Sequence, residues 1–260
     1  MKPINTFSSD LLRKVSKNDT YEDMNSDQAF ISMTQYPQYW YSLPIIYLKR
    51  GNDSIRKIIG IEKDAKYAAL VSFFDETRGY KLASYLEDAS KEPVPNQFQK
   101  DFIDADKKVN LLYSALSGQI LKVFPVPGDK SNKWVSFLEI NEPTGTALDS
   151  IKNIMPFYLN AVEKASENND YTMANSLLTG LTKYQHKYGG SVMLADSKIN
   201  SEVVYNKYDI FKQLYYLYMF GGILMLAFCI VQIFNNSKVI RRIINVFHGL
   251  IAFFFALHMA

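Results

Sequence analysis

Cysteine is almost absent from this chain of 260 residues: Cys229 stands alone. A single cysteine excludes an internal disulfide framework and any CxxC redox or zinc site. Its place inside an apolar run reads as a small buried hydrophobe. Histidine is scarce as well, limited to His186, His248 and His258. The chain contains no Walker loop, GxGxxG, GxSxG or HExxH pattern, so nucleotide, acyl-transfer and zinc-hydrolase chemistry have no motif to rest on. Acidic residues are missing from the last 50 positions. All 26 Asp and Glu precede position 211, as do 25 of the 29 Lys and Arg, so residues 1–210 sum to −1 (25 − 26). Without a basic excess there is nothing to neutralise phosphates, and nucleic acid is not an expected partner.

What the tail has instead is apolar length. Gln213 to Ser237 is a stretch of 25 residues without a formal charge, built around YYLYMFGGILMLAFCIVQIF. A bilayer core about 30 Å thick needs about 20 apolar residues in a helix, so this run is long enough to cross. Tyr215, Tyr216 and Tyr218 crowd one end, as an interfacial aromatic belt would. Gly221-Gly222 would weaken a soluble helix but lets membrane helices approach closely. The alternative is a buried core helix, which the length and missing charges disfavour.

After Asn235-Asn236-Ser237 come Lys238, Arg241 and Arg242, then a second apolar stretch from Ile243 to Ala260. The positive-inside rule puts this short basic connection in the cytoplasm and the large N-terminal part outside. Met1-Lys2-Pro3 leads into polar residues and not into an apolar h-region. We therefore expect a piece of a longer membrane protein, exported by a segment upstream.

The N-terminal part reads as mainly helical, with a few short strands. Ser8 or Ser9 is a candidate cap for a helix over 10–16, and Ser26 or Asp27 for one ending near Gln35. Ile45–Leu48 is a candidate strand, Ser54–Ile61 one or two helical turns, and Ala83–Lys91 a helix stopped by Pro93 and Pro95. Tyr67–Phe74 is ambiguous between strand and helix. The clearest helix is Gln97–Leu121, where Phe98, Phe102, Ala105, Val109, Leu112, Leu116 and Ile120 form one stripe and Lys100, Asp104, Lys107 and Lys108 fill the other face. Trp134–Ile140 is a candidate strand. A helical hairpin is expected over 149–189, its first arm kinked at Pro156 and its second capped by Asp170 and stopped at Gly189-Gly190. The stretch AVEKASENNDYTMANSLL is similar to one tetratricopeptide-like helix pair. From Ser197 or Asn200 a helix is expected to run straight on into the first span, as a long stalk.

Candidate chemistry is thin. His186 near a helix end reads as a cation favoured by the dipole. His248 and His258 lie inside a membrane segment, where an ionisable residue is a functional candidate by default. They are ten residues apart, hence about 15 Å along the axis and about 80° in azimuth, so they cannot share one metal. Each is a candidate for a separate haem, proton or quinone path, or for a hydrogen bond within a helix bundle. Tyr36, Tyr39, Trp40, Tyr41 and Tyr47 read as core with hydroxyls at the rim, or as a site for a flat ligand or peptide. Lys49, Arg50, Arg56 and Lys57 read as a solvated face, or as a site for acidic groups. Asp104 and Asp106 point to different helix faces and form no acid/base dyad.

KPINTFSSDLLRKVS, YWYSLPIIYLKRGNDSIRKIIG, NQFQKDFIDADKKVNLLYSALSGQILKVFP and VVYNKYDIFKQLYYLYM resemble the extracytoplasmic part of fused system II cytochrome c biogenesis proteins, the ResB–CcsA fusions (CcsBA). INVFHGLIAFFFALHMA is similar to the first membrane helix of the CcsA-like half. The resemblance spans the whole chain and a minor part of the much longer family proteins. It implies haem transport across the bacterial inner membrane and attachment of haem to apocytochrome c, a cytochrome c synthase activity of the full-length protein. The family's tryptophan-rich WWD segment and its flanking histidines have no counterpart here; Trp40 and Trp134 are isolated. No established haem ligand can be carried over; His248 and His258 match membrane positions of the family pattern and are candidates either for binding haem or for a structural role within the membrane.

These readings divide the chain into an extracytoplasmic domain over 1–196, stalk and first span over 197–236, a basic cytoplasmic loop over 237–242 and a second span over 243–260. Expected partners are apocytochrome c, haem, the lipid bilayer and further membrane helices of the same protein. The competing readings are a membrane-anchored extracytoplasmic sensor or receptor, and an assembly factor that uses the 149–188 hairpin as a peptide dock.

Overall fold

A computed structural model describes residues 3–51, 53–91, 93–140 and 147–259; the side chains of residues 90 and 257–259 lie outside the description. The described chain is mainly helical with a few two- to four-residue strands. It divides into two compact units, residues 1–199 and 200–260.

The first unit is built on α1 (Ile4–Ser16), β1 (Thr20–Tyr21), β2 (Met24–Asn25), α2 (Ser26–Gln35), α3 (Pro37–Trp40), β3 (Pro44–Tyr47), α4 (Asp53–Ile59), β4 (Tyr67–Ala69), α5 (Ala83–Lys91) and α6 (Gln97–Leu116). β1 pairs with β2 and β3 with β4, both antiparallel. Helix α1 begins six residues before the expected start. Pro3 enters it, and the serines expected as caps tie it to α2 instead: Ser8 donates to Asp27, and the Ser9 and Ser26 hydroxyls lie 2.9 Å apart. The cap of α2 is Asn25, whose side chain accepts from Gln28 N while the Gln28 side chain accepts from Asn25 N. This reciprocal box satisfies two donors that a helix start otherwise leaves without partners.

Helix α6 organises the core. Asn96 and Gln99 form the same kind of box at its start. Phe102, Ala105, Val109, Leu112 and Leu116 are buried along one face, against Trp40, Ile45, Ile46 and Phe73 from the preceding elements. The helix stops at Leu116 and not at Leu121, because Gly118 takes φ +72, a left-handed conformation that costs glycine little. Ile120 therefore packs from the following loop. Tyr67–Phe74 resolves into both alternatives in part: strand β4 and then a 3₁₀ turn over Leu70–Phe73.

Two cations expected on solvated faces are buried instead. Arg56, 3% exposed, donates to the carbonyls of Ala65 and Leu48. Lys108, also 3% exposed, donates to Tyr47 O at 2.9 Å and Asp104 at 2.7 Å. Their long stems cover apolar surface while the charged ends satisfy carbonyls that loops leave unpaired. Burial pulls the Lys108 ammonium below the usual lysine range, with Asp104 opposing that shift.

The unit continues with β5 (Phe124–Pro125) and β6 (Trp134–Val135), an antiparallel pair, then α7 (Ile154–Asn168) and α8 (Thr172–Gly189). Only the first two residues of the expected 134–140 strand are strand; Phe137–Glu139 is a 3₁₀ turn. The hairpin over 149–189 is present, with changed details. Pro156 sits in the first turn of α7, where its missing N–H is not needed, so it makes no kink. The N-cap position of α8 is Tyr171, with no side-chain cap bond, and Asp170 before it accepts from Thr172 N at 3.0 Å; the hydroxyl of Tyr184 on α8 donates to Pro125 O. That hydroxyl is pushed up to about 12, chiefly by burial. Gly189 is required by close approach: a Cβ there would lie 2.4 Å from the Trp134 ring.

The last elements are α9 (Asp196–Tyr208), α10 (Ile210–Phe234) and α11 (Lys238–Met259). The single helix expected from 197 through the first span is interrupted. Asp209 takes φ +44 and starts α10 afresh, its carbonyl accepting from Lys212 N and Gln213 N. Aspartate tolerates the left-handed region better than most residues, because its short polar side chain bonds locally.

Candidate functional site

Two helices are long and apolar enough to cross a membrane: Ile210–Phe234 with mean hydropathy 2.2, and Lys238–Ala256 with 1.6. The rest of the described chain buries neither of them. Among the described residues neither is covered as a core helix would be. α10 and α11 pack on each other as an antiparallel pair, with Phe228 against Phe247 and Gly221 against Ile251. The half-buried positions of α10 include Leu214, Tyr218, Gly221, Met225, Phe228 and Gln232, at alternating steps of four and three, and Cys229 beside them is half-buried as well, not the fully buried hydrophobe expected. On α11 they include Ile240, Ile244, Phe247 and Ile251. This spacing is that of a left-handed seam between two helices. Two polar atoms are shielded in the seam without a hydrogen-bond partner among the described residues, Tyr218 Oη and Gln232 Oε1.

The sequence candidates fall around this hairpin. His248 lies on α11 directly after Phe247, exposed and off the seam. His258 belongs to α11, and its side chain lies outside the described residues. Ten residues of one continuous helix separate them, which holds them apart. Haem would need an imidazole and an enclosing apolar wall. His248 offers the first alone, and no group of three or more His, Cys, Asp or Glu clusters among the described residues. The described residues therefore do not enclose a haem by themselves. His186, on α8, stands 3.8 Å from Asp196 in the first unit.

The basic residues occupy the start of a helix and not a loop. The turn is Asn235–Ser237, and Lys238, Arg241 and Arg242 sit on the first two turns of α11. Arg241 donates to Asn236 Oδ1 at 2.8 Å, and Gln232 donates to the same oxygen. Cations at a helix N-terminus oppose its dipole, so these three do not serve the helix's own stability. They mark one end of the hairpin. At the other end, Tyr208, Tyr215, Tyr216 and Lys212 are exposed on one side or the other of the Asp209 break.

The aromatic cluster of the first unit splits. Trp40 is fully buried and donates to Ser32 Oγ at 3.0 Å, whereas Tyr36 and Tyr39 are exposed. Asp104 and Asp106 do face apart: Asp104 takes Lys108, and Asp106 accepts from the Tyr80 hydroxyl at 3.0 Å. Burial, with Asp106 beside it, raises the Tyr80 hydroxyl far above the usual tyrosine range. Sequence reading missed the buried positions of Arg56 and Lys108. The only available signal was their place next to apolar stripe positions.

No protein-family model matches the chain. It is 28% identical over 261 aligned positions to Protein NrfI of Wolinella succinogenes. The match takes in 99% of this chain and 28% of that protein, so the chain spans little more than a quarter of the relative's length.

Proposed function

We propose that this chain is part of the membrane machinery that matures c-type cytochromes, of the fused ResB–CcsA kind, in the bacterial inner membrane. The observation that carries the reading is the similarity to Protein NrfI along nearly the whole chain. The residues resembling system II proteins and the two apolar helices support it. In this reading residues 1–196 form the extracytoplasmic domain. Residues 197–236 lead through the first span, 237–242 carry the cytoplasmic positive charge, and 243–260 begin the next span. The full-length protein exports haem and attaches it to apocytochrome c, acting as the cytochrome c synthase. This part supplies the external domain and the anchor. Haem is held with further helices of the same protein, and His248 and His258 are single-ligand candidates toward that bundle.

The test is a deletion strain complemented with the full-length gene. Haem-stained gels should lose their c-type cytochromes on deletion and regain them on complementation. Unchanged staining in the deletion strain would sink the proposal. Complementation by His248→Ala and His258→Ala together would assign both histidines a structural role.

A further inference from the structure

We infer that a cavity between α2, α7 and α8 is a binding site for one small uncharged hydrocarbon group, the size of a single ring. Its volume is about 160 Å³. Protein interiors are close-packed, and voids larger than a water molecule are few. The lining shows why this one suits an apolar occupant. α2 contributes Phe30 and Ile31, α7 Met155 and Leu159, and α8 Leu178 and Leu181. On α2, Asp27 and Thr34 continue the same face at steps of three. Leu178 is exposed, as is Ile4 of α1, which also lines the cavity; the two mark its entrance.

Hydrogen bonds beside the cavity brace its walls. Gln35 and the Tyr36 hydroxyl, at the end of α2, both donate to the Glu163 carboxylate of α7, at 3.0 and 2.6 Å. On the other side, Gln185 of α8 donates to Val123 O at 2.9 Å, and the Val123 side chain belongs to the lining. A cavity persists where its surroundings cannot collapse into it. A braced site also loses little order when it is filled.

The polar groups of the lining set the class of ligand. The Thr34 hydroxyl is taken up by Phe30 O at 2.9 Å. The Tyr158 hydroxyl makes no hydrogen bond among the described residues, and burial raises it above the usual tyrosine range, so it stays neutral. Asp27 is the one formal charge and no base lines the cavity, so an anion is excluded. That carboxylate sits in the first turn of α2, where the helix dipole favours it without a counter-cation. A cation would exchange water for walls that are otherwise almost wholly apolar, a costly transfer. An apolar cavity of about 150 Å³ stays dry and takes up benzene, and the volume here matches it.

The test is methyl NMR of the full chain in lipid nanodiscs, with the methionine methyl groups labelled. Met155 reports the cavity, the exposed Met173 reports the surface of α8, and Met225 of α10 reports toluene dissolved in the bilayer. Toluene should shift Met155 saturably and leave Met173 in place. Benzylammonium should bind about tenfold more weakly, and benzoate should leave Met155 unmoved. Val123→Phe fills the cavity and should abolish the Met155 response; Ile31→Phe serves the same purpose if the first variant does not fold. The inference is overturned by the absence of a saturable shift at Met155, by equal shifts at all three methionines, or by a Met155 shift that survives filling. Benzylammonium binding as tightly as toluene would overturn it too, by making Asp27 a cation site. The site stands apart from the maturation reading, since toluene binding is read without haem or cytochrome.

Discussion

Phe102 and Phe220 are the same side chain in opposite surroundings. Phe102 is fully buried, stacked on Tyr85 at 4.9 Å between ring centres and tilted against Phe98 at 4.8 Å. Phe220 is 63% exposed on a helix that is apolar nearly all round. In the first unit, the hydrophobic effect gathers apolar groups from α1, α2, α6 and β3 into one interior. In the second, the apolar groups face outward along two helices that bury only a narrow seam between them. A folded protein in water does not leave that much contiguous apolar surface uncovered. The contrast shows that hydrophobicity by itself places nothing; the solvent outside decides which way the residues turn.

The sharpest way to break this comparison is to invert the charge at the turn end of the second unit. Lys238→Glu, Arg241→Glu and Arg242→Glu together should make most molecules lose their fixed topology, read by alkaline phosphatase and fluorescent-protein fusions at residue 236. An unchanged orientation would show that the bases do not set it. Next in size, Phe102→Ala should cost about 3–5 kcal/mol in chemical unfolding of the detergent-solubilised chain. Phe220→Ala should stay within about 0.5 kcal/mol under the same conditions. Similar losses for the two would mean that α10 is packed as a core helix after all. Gly189→Ala should cost about 1–3 kcal/mol, since the new methyl drives into the Trp134 ring. No loss would show that the hairpin is free to shift from β5–β6. Asn96→Ala removes the box that starts α6 and should cost about 1 kcal/mol.

The smallest effect is a pH dependence confined to the first unit. Turn hydrogen bonds hold Asp75, Asp129 and Asp170 below the usual carboxylate range. A lowered folded value means that the unfolded chain takes up protons first as pH falls. The stability these groups contribute is therefore present above the ordinary aspartate range and lost on acidification through their folded values. Asp75→Asn should flatten the acid limb of the unfolding midpoint against pH, and an unaltered limb would remove Asp75 from the account.

The tail was legible because its signal is purely compositional: twenty-odd residues without charge need no tertiary information to be read. The helix over Ala83–Lys91 and the body of α6 were legible from stop signals and a period of three to four. Boundaries were not, where a local signal competed with packing. Ser8 and Ser9 have the chemistry of caps, yet α1 runs past them because their hydroxyls are taken by Asp27 and Ser26 across the interface with α2. The candidate histidines were legible only as positions, and a side-chain environment is not written in a spacing.

The sequence alone determined the helical class, the charge asymmetry, the aromatic end of α10 and the presence of two helices long and apolar enough to cross a membrane, because these follow from composition and period along one chain. Only the tertiary structure decided that Arg56 and Lys108 would be interior, that His248 would lie off the seam, and that Asp209 would divide the helix. The first two depend on which groups the fold brings together, a condition that does not exist along an isolated chain; the Asp209 break is a local backbone choice, which the continuous apolar run after it hid from a reading by period.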